Sequence, residues 1–298
     1  MKDVRLTVLV PGGSGQVGRD LAALANDDIE VIAPGSAELD LRQAGSVVSA
    51  VKNLVSRAEL TGSKPVVINA AAYTAVDAAE DDEERAFSVN ADGPRVLAAA
   101  CSSWQVPLVH ISTDYVFPGD SGVPYEPDDP IGPKGAYGRT KAAGEEAVLG
   151  SGAQAWIVRT AWVYGATGHN FVKTMVRLEG ERETLSVVDD QRGSPTSSAQ
   201  LAAGLLELAG RIAEGKGPER RVLHCTGGGE TTWFGFARAI FAEIGADPER
   251  VKPCTSADFP SKVPRPPYSV LSDAAWRAAG LTPMAPWEDA LKAYFAKA

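Results

Sequence analysis

A short apolar segment that runs into a glycine-rich loop constrains the fold of this 298-residue chain more than any other feature. Leu6–Val10 (LTVLV) is typical of a strand buried on both faces. Gly12, Gly13, Gly15 and Gly18 follow, and an apolar-periodic helix begins within them. This spacing fits GxGxxG and GxxGxxG, which permit a tight turn, backbone contact with a pyrophosphate and close packing of the helix on the strand. The strand–loop–helix order therefore predicts a dinucleotide-binding site.

Strands and helices alternate through the next hundred residues. Predicted strands at 29–33, 65–69 and 108–112 are separated by helical stretches at 46–57 and 91–103. This alternation predicts an α/β fold, a Rossmann-type doubly wound parallel sheet that binds ligands at the carboxyl ends of its strands.

The strict alternation weakens past Gly165, where we expect a smaller, interleaved C-terminal substrate lobe. A predicted helix at 199–213 and a predicted strand at 222–225 return to the main sheet. The expected boundaries are 1–165 and 197–225 for an NAD(P)-binding domain, and 166–196 and 226–298 for the substrate-binding lobe.

Charge and composition exclude several classes of protein. With 29 basic and 38 acidic residues the net charge is −9, which argues against a nucleic-acid partner. The sequence contains no apolar run near the ~18 residues of a membrane helix and no signal-peptide pattern at its start. Cys101, Cys225 and Cys254 have neither disulfide-framework nor metal-pair spacing, so we expect packing roles. These features predict a cytoplasmic protein without membrane association.

The end of the second predicted strand bears on the choice of cofactor. An NAD-selective site usually has an acid about 20 residues after the glycines, where it binds the ribose 2′-hydroxyl. Residues 33–36 (APGS) contain none, whereas Glu30 lies early in the strand and Glu38 lies beyond its end. The pattern favours NADPH, with NADH as the second candidate.

A Tyr-x-x-x-Lys motif supplies candidate catalytic groups. Tyr137 and Lys141 are four residues apart, so on a helix they share one face. A nearby ammonium stabilises phenolate, and we expect it to lower the pKa of Tyr137 and make it a general acid. Thr113 closes the preceding strand, where its hydroxyl can hydrogen-bond a substrate carbonyl.

Several longer motifs extend this set, and together they run from Gly12 to about Leu271. The chain resembles the dTDP-4-dehydrorhamnose reductase family of the extended short-chain dehydrogenase/reductase superfamily. The motifs that carry the resemblance are NAAAYTAVD (69–77), HISTDYVFPG (110–119), YGRTKAAGE (137–145), RTAWVYG (159–165) and VVDDQRGSPT (187–196).

The resemblance implies NAD(P)H-dependent reduction of the 4-keto group of dTDP-4-dehydro-β-L-rhamnose, a small-molecule sugar nucleotide. It implies a catalytic set of Thr113, Tyr137 and Lys141, and substrate contacts from Thr113, Asp114 and Trp162. It places Gly15, Gln16 and Val17 at the pyrophosphate, Asp40 and Leu41 by the adenine, and Ala71, Ala72 and Tyr73 along the cofactor cleft. Gly12, Gly18, Tyr137 and Lys141 complete the expected cofactor site.

Three alternatives stay open. Nucleotide-sugar dehydratases of this superfamily carry Asp-Glu after the Thr, whereas this chain has Thr113-Asp114-Tyr115, which disfavours elimination. A non-catalytic NADP-binding regulatory subunit on the same fold is a second alternative, disfavoured because Thr113, Tyr137 and Lys141 are all retained. The third is a reductase of a different keto-sugar nucleotide.

The remaining candidates are weaker. Asp189-Asp190 is a carboxylate pair of the kind that binds Mg²⁺, but the pair alone does not specify a metal, and no residue is assigned as a metal ligand. Arg265, in a proline-rich loop at 259–267, is a candidate for the nucleotide diphosphate. We expect His110, Trp233 and Trp287 to be core residues. The oligomer is expected to be a monomer or a homodimer.

Overall fold

The computed structural model describes residues 5–259 and 261–297. Outside the described residues lie 1–4, 260 and 298. The predicted domain boundaries include all of these residues, and the proline-rich loop at 259–267 includes residue 260. The strands are β1 (Leu6–Leu9), β2 (Ile29–Ile32), β3 (Lys64–Asn69), β4 (Leu108–Thr113), β5 (Ala155–Thr160), β6 (Val163–Tyr164), β7 (Leu185–Val188), β8 (Arg192–Gly193), β9 (Thr196–Ser197), β10 (Val222–His224), β11 (Thr231–Thr232) and β12 (Val251–Cys254).

The helices follow the predicted alternation closely, and a π-helical turn at Ser88–Asp92 joins two of them. They are α1 (Gln16–Ala23), α2 (Ala44–Thr61), α3 (Val76–Asp81), α4 (Glu83–Phe87), α5 (Gly93–Ser103), α6 (Ala136–Leu149), α7 (Phe171–Glu181), α8 (Ser198–Ala213), α9 (Trp233–Glu243), α10 (Ala274–Ala278) and α11 (Trp287–Phe295). Among the described residues, no helix combines the length and apolar character needed to cross a bilayer.

Six parallel strands form the central sheet in the order β10-β5-β4-β3-β1-β2. The chain starts at β1, moves outward to β2 and then returns to the other side of β1 at β3. This reversal is the topological switch point of an open α/β sheet, where a crevice opens at the carboxyl ends of the strands. The predicted Rossmann-type fold is confirmed, and the predicted strand at 222–225 is β10.

Hydrophobic clusters cover both faces of the sheet. One cluster packs α1 and α8 against the sheet through residues such as Leu21 and Leu205. The other packs α2 and α5 through residues such as Leu54 and Leu97. Strands buried on both faces explain why β1 and β5 are mainly apolar and do not alternate between apolar and polar residues.

A third cluster lies among α7, α9 and α11, in the sequence ranges assigned to the second lobe. Phe236 and Trp287 pack edge to face there, with ring centroids 5.7 Å apart. Trp287 is thus a core residue, as expected. The boundaries between the two lobes stay a prediction.

Candidate active site

The glycine loop has its shape because three of its residues leave no room for a side chain. Gly12 has a φ of +84°, and a Cβ there would lie 2.6 Å from the backbone N of Ala71, beside β3. A Cβ on Gly13 would lie 1.9 Å from the carbonyl oxygen of Ala33, and one on Gly18 would lie 2.3 Å from that of Gly12. The loop therefore packs directly on the backbone at the ends of β2 and β3.

The start of α1 is suited to an anion. Gly15 is its N-cap residue and supplies no side-chain cap. The first N–H groups of a helix have no partner within the helix, and the helix dipole favours negative charge there. A pyrophosphate would be bound by these groups, which is the role expected of Gly15, Gln16 and Val17.

A cavity of about 430 Å³ opens beside this loop at the carboxyl ends of β1, β3, β4 and β5. Most of the predicted site residues line it. They are Gly15, Gln16, Val17, Gly18, Ala71, Ala72, Thr113, Asp114, Tyr137, Lys141 and Trp162. The structure thus brings the predicted catalytic set and the predicted phosphate loop into one crevice. A second cavity of about 660 Å³ lies between β2 and α2, and none of the predicted site residues lines it.

Four predicted cofactor residues do not line the crevice. Gly12 lies beneath the loop, and the side chain of Leu41 is buried in the core. Asp40 accepts hydrogen bonds from the guanidinium of Arg42 at 2.7–3.1 Å. The backbone of Tyr73 pairs with the side chain of Asn90. Side-chain contact between Leu41 and an adenine is therefore not supported, because a hydrophobic core already surrounds that side chain.

The end of β2 also differs from the sequence expectation. Glu38 lies three residues beyond Gly35 in the chain, yet its Oε2 accepts a hydrogen bond from Gly35 N at 2.8 Å. A carboxylate therefore folds back to the strand end, where sequence reasoning had found no acid.

Helix α6 carries Tyr137 and Lys141 on one face, and its N-terminus is fixed by Glu80, whose carboxylate accepts a hydrogen bond from Ala136 N. The Lys141 side chain is buried, and its Nζ donates to the carbonyl oxygen of Ile111 at 2.6 Å. Burial lowers the pKa of Lys141 to about 8, although the charge of Glu145 opposes this shift.

The expectation that Lys141 lowers the pKa of Tyr137 is wrong in this structure. Burial raises the pKa of Tyr137 to about 12, and the nearby Thr113 hydroxyl offsets only part of that rise. Desolvation of the phenolate is the largest effect and the charge of Asp114 adds to it, whereas the Lys141 Nζ donates to Ile111 of β4 in the unliganded protein. Tyr137 is consequently a firmly protonated phenol at neutral pH, which suits a proton donor.

Thr113 and Asp114 form a polar pair at the end of β4. The Thr113 hydroxyl donates to Asp114 Oδ1 at 2.9 Å and accepts from the backbone N of Tyr115 at 3.2 Å. Asp114 Oδ2 is buried and has no hydrogen-bond partner among the described residues. Burial raises the pKa of Asp114 to about 6, and the nearby hydroxyls of Ser269 and Thr113 offset only part of this effect. A buried oxygen with spare acceptor capacity in the crevice suits a hydroxyl-bearing ligand.

This carboxylate has a consequence for stability. Because its folded-state pKa lies above the ordinary value of 3.8, stability should fall as pH rises from about 4 to about 6 and then stay level. Asp114→Asn should remove that decline and raise the free energy of unfolding at pH 7 by about 1 to 3 kcal/mol. Urea unfolding at pH 4.5 and pH 7 measures the difference.

Asp40→Asn is the matched control, because contact with Arg42 lowers the pKa of that partly exposed carboxyl. It should leave stability at pH 7 unchanged or slightly reduced. A parallel pH dependence in the Asp114→Asn variant and the unmodified protein would contradict the assignment.

Two tryptophans form the wall of the crevice opposite α6. Trp162 has a φ of +49°, a rare conformation for a residue with a Cβ, and its ring stacks on Trp233 with centroids 3.5 Å apart. Trp233 packs against the core cluster of α7, α9 and α11, as expected, and it also lines the cavity. Trp233 stacks on Trp162 and Gly193 also packs against its indole, where a Cβ would lie 2.3 Å from Cε2, so a ligand would meet only the part of Trp162 that lines the cavity. A lone tryptophan at a helix start does not reveal its stacking partner, so the sequence does not predict this pair.

Comparison with known proteins extends the sequence resemblance. Residues 6–298 match the family described as RmlD substrate binding domain. The chain belongs to this family. It is 46% identical over 290 residues to dTDP-4-dehydrorhamnose reductase of Mycobacterium tuberculosis (strain ATCC 25618 / H37Rv), which covers 95% of this chain and 90% of the relative.

Two further relatives broaden the comparison. The chain is 44% identical over 291 residues to a probable dTDP-4,6-dihydroxy-2-methyloxan-3-one 4-ketoreductase of Streptomyces antibioticus, covering 96% of this chain and 94% of that one. The crystal structure of dTDP-4-dehydrorhamnose reductase from Bacillus anthracis str. Ames, in complex with NADP, superposes with a TM-score of 0.90 at 33% identity. That alignment covers 99% of this chain and 100% of the other.

An ion pair beside the crevice involves Arg265, the candidate residue for the nucleotide diphosphate. In this member of the RmlD family, Arg265 NH2 donates to Asp77 Oδ2 at 2.5 Å. Its other terminal nitrogen, NH1, is buried and has no partner among the described residues. The charge of the guanidinium lowers the pKa of the Tyr115 phenol, although burial raises that pKa by more, and Tyr115 lines the crevice. A donor with unused capacity therefore lies close to the site.

The Asp189-Asp190 pair has structural partners. Asp189 Oδ1 accepts from the Thr232 hydroxyl at 2.6 Å, and Asp190 accepts from the backbone N and the hydroxyl of Ser256 at 2.8 and 2.7 Å. Within residues 5–259 and 261–297, no group of three or more His, Cys, Asp or Glu side chains is arranged to hold a metal ion. These contacts give the Mg²⁺ hypothesis no support.

Proposed function

We propose that this protein reduces the 4-keto group of dTDP-4-dehydro-β-L-rhamnose to give dTDP-β-L-rhamnose, with NADPH as the reductant. The observation that carries the proposal is the convergence of Thr113, Tyr137 and Lys141 on one crevice with the phosphate loop Gly15–Gly18. Reductases of dTDP-linked 4-keto sugars that match this chain over nearly its whole length support the substrate class.

The residues around the glycine loop fit a dinucleotide. The backbone N–H groups of Gly13 and Gly15 donate within the protein, to the carbonyl oxygens of Pro34 and Gly12 at 2.9 and 3.0 Å, so phosphate oxygens would meet the first N–H groups of α1, from Gln16 onward. When bound, the cofactor supplies hydride to C4 of the sugar. NADPH is proposed because the Bacillus anthracis reductase was crystallised with NADP. The carboxylate of Glu38 at the end of β2 supports NADH as a usable second cofactor.

Tyr137 supplies the proton in the proposed reaction. As negative charge develops on the carbonyl oxygen at C4, the Tyr137 O–H bond breaks and the proton moves to that oxygen. The Thr113 hydroxyl lies at the strand end and donates to Asp114 Oδ1 in the unliganded protein; it would turn this single proton from Asp114 to the substrate oxygen in order to orient it. Lys141 stabilises the resulting phenolate by its charge.

The neighbours of Thr113 oppose elimination chemistry. Tyr115 stands where the dehydratases carry Glu, and burial together with the charge of Asp114 raises the pKa of its phenol. A phenol held in its protonated form is a poor general base for removing a proton from carbon. The site therefore suits simple reduction, which requires one proton donor and no second base.

Substrate binding is proposed for Thr113, Asp114 and Trp162, with Arg265 at the diphosphate. Asp114 Oδ2 and Arg265 NH1 lack partners among the described residues, so one acceptor and one donor have spare capacity for the ligand. The lobe of 166–196 and 226–298 is proposed to hold the sugar nucleotide. Asn170 ties it to the phosphate loop, because its Nδ2 donates to Gln16 Oε1 at 2.9 Å.

We also propose a cytoplasmic enzyme, since Cys101, Cys225 and Cys254 are free thiols and its relatives are biosynthetic reductases. A monomer or a homodimer is expected, and light scattering after size-exclusion chromatography distinguishes the two.

The test is oxidation of NADPH followed at 340 nm, with dTDP-4-dehydrorhamnose generated in situ. We expect turnover, and a higher kcat/KM with NADPH than with NADH. A parallel assay offers other dTDP-linked keto sugars, because the Streptomyces antibioticus relative favours a ketoreductase of another sugar as the second candidate. Turnover of such a sugar alone would overturn the substrate assignment, and tight NADPH binding without any turnover would indicate the regulatory alternative.

A further inference from the structure

Asn69, His110 and Lys141 are linked in series by side-chain hydrogen bonds, and the first two lie behind the crevice that Lys141 lines. Asn69 at the end of β3 and His110 in β4 are register partners on adjacent strands, and both are buried. Asn69 Nδ2 lies 3.0 Å from His110 Nδ1, and His110 Nε2 lies 3.3 Å from Lys141 Nζ. His110 is a buried residue as expected, but its ring also connects the strand to the catalytic lysine.

The orientation of the Asn69 amide follows from its other partner. Asn69 Oδ1 lies 3.1 Å from the backbone N of Ala71, which can only donate. The oxygen therefore faces Ala71, and the NH₂ group faces His110. Reversing the amide would place two donors against each other at Ala71 in a buried site.

The ring of His110 is consequently fixed as well. Asn69 Nδ2 can only donate, so His110 Nδ1 accepts and carries no proton. A neutral imidazole then carries its proton on Nε2, the atom that faces Lys141. An N–H at that position repels an ammonium and matches the lone pair of an uncharged amine, which can still donate to Ile111.

We propose that Asn69 fixes the tautomer of His110, and that His110 donates a hydrogen bond to Lys141 and so favours the uncharged amine. Asn69 and His110 are positioning residues, since they act through Lys141. A hydrogen bond to the neutral form lowers the pKa of Lys141, and so sets the alkaline limit of the pH range in which its ammonium can support the Tyr137 phenolate. This role in catalysis rests on the proposed reductase function, whereas the tautomer does not.

The other charged and titratable groups near Lys141 are either uncharged or offset by an opposite charge. His110 is therefore the neighbour that decides which form of the amine is favoured. On α6, Tyr137 is a protonated phenol and Glu145 favours the ammonium. Arg159 of β5 binds both oxygens of Glu145, at 2.9 and 2.7 Å, and so offsets that carboxylate. The directions agree with the geometry, since burial lowers the pKa of both Lys141 and His110.

The first experiment is ¹⁵N NMR of the unliganded protein labelled at histidine. The chain has three histidines, so His110→Gln identifies the His110 signals. We expect a neutral ring with its proton on Nε2 at pH 7. Asn69→Asp should reverse the tautomer, because a carboxylate accepts from both Ala71 N and His110 Nδ1–H. A proton on Nδ1 in the unmodified protein, or a doubly protonated ring, overturns the proposal without reference to any substrate.

The second experiment is the pH dependence of kcat. If the ammonium of Lys141 supports the phenolate, kcat should fall as pH rises through about 8 in the unmodified protein. His110→Gln removes the Nε2–H donor and offers a carbonyl to the ammonium, so this alkaline limb should move up by roughly one pH unit. Asn69→Asp should move it in the same direction. The proposal is contradicted if His110→Gln folds, retains turnover and shows the same alkaline fall of kcat as the unmodified protein. If the substitution lowers only the free energy of unfolding, His110 has a structural role.

Discussion

Replacing Tyr137 with Phe is expected to lower kcat by about 10²- to 10⁴-fold, with little change in the Kd for NADPH. The substitution removes one oxygen, the atom that donates the proton to the developing alkoxide, and leaves the ring that packs edge to face on Tyr115 at 5.7 Å. The cofactor loop and Lys141 are untouched, so binding should persist. Steady-state kinetics and fluorescence titration of NADPH separate the two effects.

Tyr115→Phe is the matched control, because it removes the same atom from a neighbouring buried tyrosine that also lines the crevice. Its effect on kcat should be far smaller, since that phenol has no assigned proton transfer. Near-normal turnover of Tyr137→Phe, or equal losses in the two variants, would remove Tyr137 from the role of proton donor. Because the pKa of Tyr137 is about 12, the unmodified protein should not lose activity at neutral pH through ionisation of this phenol.

Local sequence patterns predicted much of the architecture. The run LTVLV and the glycines after it indicate strand β1, the loop and helix α1, because only glycine permits the φ of +84° at residue 12 and the close contact at residue 13. Tyr137 and Lys141 were placed on one helical face by their spacing alone. Their convergence with Thr113 follows from the rule that parallel strands end at one edge of the sheet.

Individual side-chain contacts and the burial of the site were harder to predict. The stacking of Trp233 on Trp162 joins residues 71 positions apart in the chain, and no local periodicity reports such a pairing. The carboxylate of Glu38 reaches Gly35 N because the chain turns back after β2. The pKa of Tyr137 rises rather than falls because desolvation depends on burial, which a Tyr-x-x-x-Lys spacing does not encode.

The second large effect is expected at a buried ion pair that attaches α6 to the sheet. Arg159 donates from Nε and NH2 to Glu145 at 2.9 and 2.7 Å, and both side chains are only 5% exposed. The NH1 group donates to the carbonyl oxygen of Pro127 at 3.1 Å, and the guanidinium lies over the ring of Phe117 at 4.8 Å. Each of the three guanidinium nitrogens thus has a fixed partner, so a change at Glu145 leaves a buried charge that cannot turn elsewhere.

Glu145→Gln should therefore lower the free energy of unfolding by about 3 to 5 kcal/mol, because it leaves the Arg159 charge buried without its counter-ion. The chain contains a nearly ideal control in Glu83, which binds Arg139 in the same two-pronged way at 2.9 and 2.7 Å, but with side chains 43–45% exposed. Glu83→Gln should cost about 0 to 1 kcal/mol, since solvent screens that pair. Guanidinium unfolding of the two variants compares equal geometries at unequal burial. Equal losses would mean that burial does not determine the contribution of the pair, and that the position of α6 depends on its apolar contacts instead.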